Sequence, residues 1–301
     1  MKSVDYSDVK RIIFDKELID LLCYNRKFGE LLDYFIQDDF LEIKDNMKLP
    51  FFAEIRDYQG AVEKADEKAE WLVKEAKGHD LIETEMAMIV YFLDMFTHTL
   101  SVPMVVTKIN GKIYRATKTI NQAEQLSGAN YTVFPDLTEP LLLDMINRWI
   151  FCDEDRNPNN YMIKYNSKNQ NLILAIDFGN TDLLYKGTKI RGASKKFGWE
   201  KKEKTRYLTP LKAENFPVYD MQFYNQRFKY FNKLTGNQLF GIAKKALRYN
   251  ENKDELAKTI TTNLLKRRDY VYKYFSSKIP DVIEKDESYK EMGAAFQKFY
   301  G

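Results

Sequence analysis

Phe151 to Leu183 reads FCDEDRNPNNYMIKYNSKNQNLILAIDFGNTDL, and its spacing of carboxylates and amides governs how the rest of the chain is read. Asp155 and Asn160 stand in a turn-rich loop, and Asp177 opens an Asp-Phe-Gly. The runs Tyr161 to Tyr165 and Leu172 to Ile176 predict two short strands, separated by the polar turn Asn166 to Asn171. Paired as a hairpin, they would hold the loop and the Asp-Phe-Gly side by side at one end. Residues of these types suit a metal-and-phosphate site, since carboxylate and amide oxygens are hard donors to a metal and a carboxylate can take a proton.

Working outward, the 301 residues are 44% hydrophobic, enough to bury one or two cores, and the length predicts about two lobes. A net charge of +3 makes no global electrostatic case for a nucleic-acid partner. No apolar run approaches the roughly 18 residues of a membrane span, so no transmembrane segment is expected. Nothing after Met1-Lys2-Ser3-Val4-Asp5 resembles the apolar core of a signal peptide, and Cys23 and Cys152 are the only cysteines. A soluble protein of a reducing, cytoplasmic compartment is expected, although one exported by another route into a host cytosol would look the same. Only His79 and His98 occur, with no HExxH, no Cys/His ligand spacing and no GxSxG elbow, which argues against zinc sites and Ser-His hydrolases.

Residues 1–50 carry apolar positions at helical spacing (Ile12, Leu18, Leu21, Leu22, then Phe28, Leu31, Leu32, Phe35, Ile36) and read as an N-terminal helical extension bounded by Pro50. Phe51 to Ile55 and Glu70 to Lys74 read as strands, the second ending in a lysine suited to bind phosphate. Leu81 to Phe96 predicts an amphipathic helix through Ile82, Met86, Ile89, Leu93 and Phe96, with Glu83 and Glu85 in its first turn. Strands over Met104 to Ile109 and Lys112 to Thr117 flank Asn110-Gly111, a strong hairpin signal. Further on, Thr138 is the expected cap of a helix with Pro140 in its first turn and Leu142, Met145, Ile146 and Trp149 as its buried stripe. After Val218 the chain reads as helical, and Lys266-Arg267-Arg268 as a solvated helix surface.

Taken in order, Lys74, Glu85, Val102-Pro103, Thr117-Lys118-Thr119, Asp155-Arg156-Asn157-Pro158-Asn159-Asn160 and Asp177-Phe178-Gly179 resemble the protein-kinase-like superfamily. The five-residue step from Asp155 to Asn160 is similar to the branch of HipA-like bacterial serine/threonine kinases and phosphatidylinositol 3- and 4-kinases. Asn157 departs from the histidine many of these carry, and no GxGxxG loop precedes Lys74. The resemblance implies an α+β, two-lobed fold: a small N-lobe (51–120) with an antiparallel sheet and one helix, then a mostly helical C-lobe (121–301). It implies ATP and Mg2+ as cofactors, Asp155 as the residue that takes the acceptor hydroxyl, and Asn160 and Asp177 as metal ligands. By the same resemblance, Lys74 contacts the nucleotide phosphates, Glu85 supports Lys74, and Lys118, Thr119 and Ile120 form the hinge that meets adenine.

The implied activity is transfer of the γ-phosphate to Ser or Thr of a protein, the chain itself included. A phosphoinositide kinase and a non-catalytic pseudokinase stay open, as do AMP transfer and glutamylation on the same fold. Residues 186–206 hold nine Lys and Arg against Glu200 and Glu203. In the place of an activation segment, such a run could meet an inositol phosphate headgroup, an acidic membrane, an acidic peptide or a phosphorylated residue.

Overall fold

The computed structural model describes residues 51–55, 69–97, 99–102, 104–118, 120, 123–129, 135–153, 155, 158–165, 171–188 and 219–281. The expectations for residues 1–50, for Thr119, for the turn at 166–170 and for most of the basic segment lie outside these residues.

Asn110 (φ 49°) and Gly111 (φ 79°) both take left-handed backbone, which two-residue hairpin turns need to match the twist of their strands. They join β3 (Met104–Ile109) to β4 (Lys112–Lys118) with Ile109 opposite Lys112. β4 also pairs antiparallel with β2 (Ala69–Ala76), and β2 with β1 (Phe51–Ile55), giving the order β1-β2-β4-β3. The chain leaves β2 through Gly78, at φ 56°, into helix α1 (His79–Phe96), and re-enters the sheet at its far edge. The expected apolar stripe of α1 is buried except for the partly covered Ile82, but the burial is broader than a stripe. Every residue from Thr84 to Phe96 is buried, because strands β2 and β3 cover one side and a later helix covers another.

Below this layer, Leu100 to Val102 run alongside β7 (Asn171–Ala175): Val102 N–H donates to the Ala175 carbonyl at 2.9 Å and Ala175 N–H to the Leu100 carbonyl at 3.0 Å. β7 pairs with β6 (Tyr161–Tyr165), and β6 with the two-residue β5 (Glu124–Gln125). The β6–β7 hairpin is the one expected from sequence, with β7 beginning and ending one residue earlier. Helix α2 (Pro135–Phe151) starts before the expected cap at Thr138: a proline in the first position costs no helical hydrogen bond, so Pro135 opens the helix and Pro140 falls inside it. The stripe Leu142, Met145, Ile146 and Trp149 is buried as expected.

Three helices complete the layer. Asp220 caps α3 (Met221–Lys233), its carboxylate accepting from Phe223 N–H at 3.0 Å, and Thr235 with Gln238 forms a capping box on α4 (Gly236–Ala246). α4 packs on α5 (Lys253–Lys278) and on α1. Within Lys266-Arg267-Arg268 the expected solvated surface does not hold for Arg267, which is 1% exposed. The described residues therefore form an α+β architecture: an antiparallel sheet with one helix, followed by a small second sheet and a mostly helical layer. No helix among them is long and apolar enough to cross a membrane.

Candidate active site

The β6–β7 hairpin places the site as its register requires. Tyr161 lies opposite Ala175, and Ile176 N–H donates to the Asn160 carbonyl at 3.0 Å, so the ladder runs one step past the strands. Asn160 and the Asp177 that follows Ile176 are thereby brought to one end of the hairpin. The Asn160 amide nitrogen donates to the Asp155 carbonyl at 2.5 Å, which closes the five-residue loop and sets which end of the amide is the oxygen donor. Asn180 Nδ2 donates to Asp155 Oδ2 at 2.9 Å, tying this carboxylate to the segment after the Asp-Phe-Gly. Asp155, Asn160 and Asp177 thus come together as read from sequence. Asn180 is an addition that no spacing announced.

Asp177 is exposed and sits at φ 54°, a left-handed conformation that a carboxylate residue tolerates better than most. Its Oδ1 accepts from Gly179 N–H at 3.3 Å, and a Cβ on Gly179 would come as close as 3.3 Å to that same oxygen. Between them Phe178 is buried, with the guanidinium of Arg148 5.1 Å from its ring centre. Arg148 is itself fully buried on α2. It ion-pairs with Asp94 of α1, with Asp144 at 2.9 Å and with Asp153 at 3.6 Å. Burial works against its charge, but Asp144, Asp94 and Asp153 outweigh that and hold its pKa well above the ordinary value. Asp94 also accepts from Ser101 Oγ at 2.7 Å and from Asn147 Nδ2 at 2.8 Å. Asp153, two residues before Asp155, belongs to this buried cluster and bridges to Thr181, so it does not face the cleft.

On the sheet above, Leu72 and Lys74 are exposed on one face of β2, opposite Thr117 and Arg115 of β4. Lys74 lines a small polar cavity with Glu75, Asp80, Glu83, Thr84 and Arg115. The glutamate of α1 that lines the cavity with Lys74 is therefore Glu83. Glu85, the expected partner, is fully buried and points the other way, toward Tyr249 and Asn250 in the turn after α4. Residues two apart on a helix face nearly opposite directions, and α1 is turned so that Glu83 meets the cavity. Burial pushes the Glu85 carboxyl up to about 7; the Asn250 side chain and the Tyr249 backbone oppose this, yet neither makes a well-formed hydrogen bond to it.

Of the expected hinge, Lys118 ends β4 opposite Trp71, Ile120 is partly buried against the core, and Thr119 lies outside the described residues. The chain beyond Asn180 is clamped from α5. Arg267 donates to the carbonyls of Ile150 at 2.7 Å and Tyr185 at 2.8 Å, and Asn263 to those of Leu183 and Leu184 at 3.0 Å. Among the described residues no group of three or more His, Cys, Asp or Glu converges as a closed metal cage. The donor set at the hairpin end, one exposed carboxylate and one amide oxygen, fits magnesium, which is commonly held by one or two protein oxygens together with water and phosphate.

No family profile and no curated protein matches this sequence. Among solved structures, the chain is similar to the Helicobacter pylori proinflammatory kinase CtkA, at 12% identity and a TM-score of 0.48, covering 80% of this chain and 98% of that one. It is also similar to HipA of Shewanella oneidensis, solved with HipB and operator DNA, at 10% identity and a TM-score of 0.39, covering 81% of this chain and 69% of that one.

Proposed function

We propose that this chain is an ATP- and magnesium-dependent kinase that transfers the γ-phosphate to a Ser or Thr hydroxyl of a protein, itself included. The observation that carries the reading is the convergence of Asp155, Asn160 and Asp177 at one hairpin end, with Asp155 fixed by Asn180. Asp177 and Asn160 would hold a magnesium ion, which when bound would supply charge neutralisation for the nucleotide phosphates. Asp155 Oδ1 or Oδ2 takes the proton of the attacking hydroxyl as its oxygen bonds to the γ-phosphorus, and the bond from that phosphorus to the β–γ bridging oxygen breaks to release ADP. Lys74 would hold phosphate oxygens from the sheet, with Glu83 of α1 lining the same cavity. Leu72, on the same exposed face, offers apolar surface to the base, and Lys118 to Ile120 supply the backbone at its edge. This chemistry depends on positioning and charge, which suits a site with no histidine.

The test is a labelled-ATP assay with protein acceptors and, separately, phosphoinositide vesicles. Label from the γ-position on protein is expected, and Asp155→Asn and Asp177→Ala should abolish it. Label on lipid would move the acceptor to the phosphoinositide that the basic run 186–206 could read. Label from the α-position would replace the reading with AMP transfer. ATP binding without transfer of either label would leave a pseudokinase.

A further inference from the structure

Arg115 was not singled out by any motif, yet three observations converge on it. It lies directly opposite Lys74 in the β2–β4 register, so two cations stand side by side on one face of the sheet. Like charges at directly opposed positions destabilise a strand pair unless something offsets them. Here the offset within the fold is incomplete. Among the described residues neither Lys74 nor Arg115 makes an ion pair or hydrogen bond, although Asp80 and Glu83 line the same cavity, and Glu75 is engaged by Lys112 at 3.7 Å. Arg115 also reaches out of the sheet toward the Asp-Phe-Gly: its Nη1 lies 4.0 Å from the position a Cβ on Gly179 would take, the point that Asp177 Oδ1 approaches to 3.3 Å. The guanidinium and the Asp177 carboxylate thus approach the same point beside Gly179.

We propose that Arg115 is a second phosphate-binding cation of this site, gripping together with Lys74 the terminal phosphates of a nucleoside triphosphate. This rests on the kinase reading above. A planar guanidinium can donate to two phosphate oxygens at once, where an ammonium acts as a point charge, so the two cations divide the work of orienting and neutralising the chain. A bound polyanion would relieve the like-charge opposition of Lys74 and Arg115 across the strand pair. Arg115 discriminates by phosphate count: it should matter for ATP, less for ADP, and not for AMP.

Equilibrium binding of ATP, ADP, AMP and inorganic tripolyphosphate to the full chain with magnesium tests this in wild type, Arg115→Gln, Arg115→Lys and Lys74→Gln. Arg115→Gln should weaken ATP and tripolyphosphate about 10- to 100-fold, the loss of one charge-assisted phosphate contact, and leave AMP unchanged. Arg115→Lys should recover only part of the loss, since its charge returns without the bidentate fork. ATP binding unchanged in Arg115→Gln but weakened in Lys74→Gln would overturn the assignment and leave the kinase reading standing. A wild-type chain that binds ATP no better than AMP would overturn both. A second measurement needs no variant: phenylglyoxal modification of Arg115, mapped by mass spectrometry, should be suppressed by tripolyphosphate, and equal modification with and without it would also refute the role.

Discussion

Replacing Glu85 with Gln removes a carboxyl that the fold keeps protonated well above its usual range. The residue is fully buried, both its oxygens lack well-formed hydrogen bonds, and burial lifts it from 4.5 to about 7. Below pH 4.5 the group is protonated in both folded and unfolded chains and costs nothing. Between 4.5 and 7 the unfolded chain releases its proton while the folded chain holds it, so stability falls as pH rises, by about 1.4 kcal/mol per pH unit. Above 7 both states are ionised and the penalty stays constant, at about 3 kcal/mol in all. Gln keeps the shape and carries no proton. Its stability relative to wild type should therefore rise by about 3 kcal/mol between pH 4 and pH 8, because every other titrating group is shared and cancels in the difference. Urea unfolding of both proteins at pH 4, 5.5, 7 and 8, followed by circular dichroism, gives this difference directly. A difference that stays constant across the range would show that Glu85 is not a buried neutral acid, and would place α1 differently against the turn at Tyr249 and Asn250.

Three further outcomes follow from the site and its supports. Arg148→Met should cost about 3–5 kcal/mol in urea unfolding, since Asp94, Asp144 and Asp153 would be left as buried carboxylates without their cation. Asn180→Ala should lower kcat about tenfold or more with little change in ATP affinity, because it releases the Asp155 carboxylate without touching the phosphate cations. Asn263→Ala should speed proteolytic cleavage near Leu183 and Leu184 and cost about 1–3 kcal/mol in urea unfolding, since it removes the buried donor to both carbonyls.

The hairpins and the polar loop were legible because their signals are local. Asn110-Gly111 demands left-handed backbone at both positions, and only a tight turn between paired strands uses it; β3 and β4 meet there in the register that follows. That Asp155, Asn160 and Asp177 would lie near one another was legible for a related reason: a five-residue loop feeding a short hairpin leaves its two ends few places to go. The choice between Glu83 and Glu85 was different. An apolar stripe gives the phase of a helix only when one side is buried, and α1 is buried on all sides from Thr84 onward. Nothing in the sequence says which way its first turn faces.

What the sequence by itself determined was the order of elements and the identity of the three polar residues at the hairpin end, both set by short-range geometry and periodicity. The tertiary structure alone decided the fate of the arginines. Arg115, Arg148 and Arg267 look alike among 47 basic residues, yet one lines the polar cavity beside Lys74, one is buried beside Phe178 among three carboxylates, and one clamps the chain beyond the Asp-Phe-Gly. A long cationic side chain takes its role from the acceptors around its head, and those acceptors come from segments distant in sequence that only folding assembles.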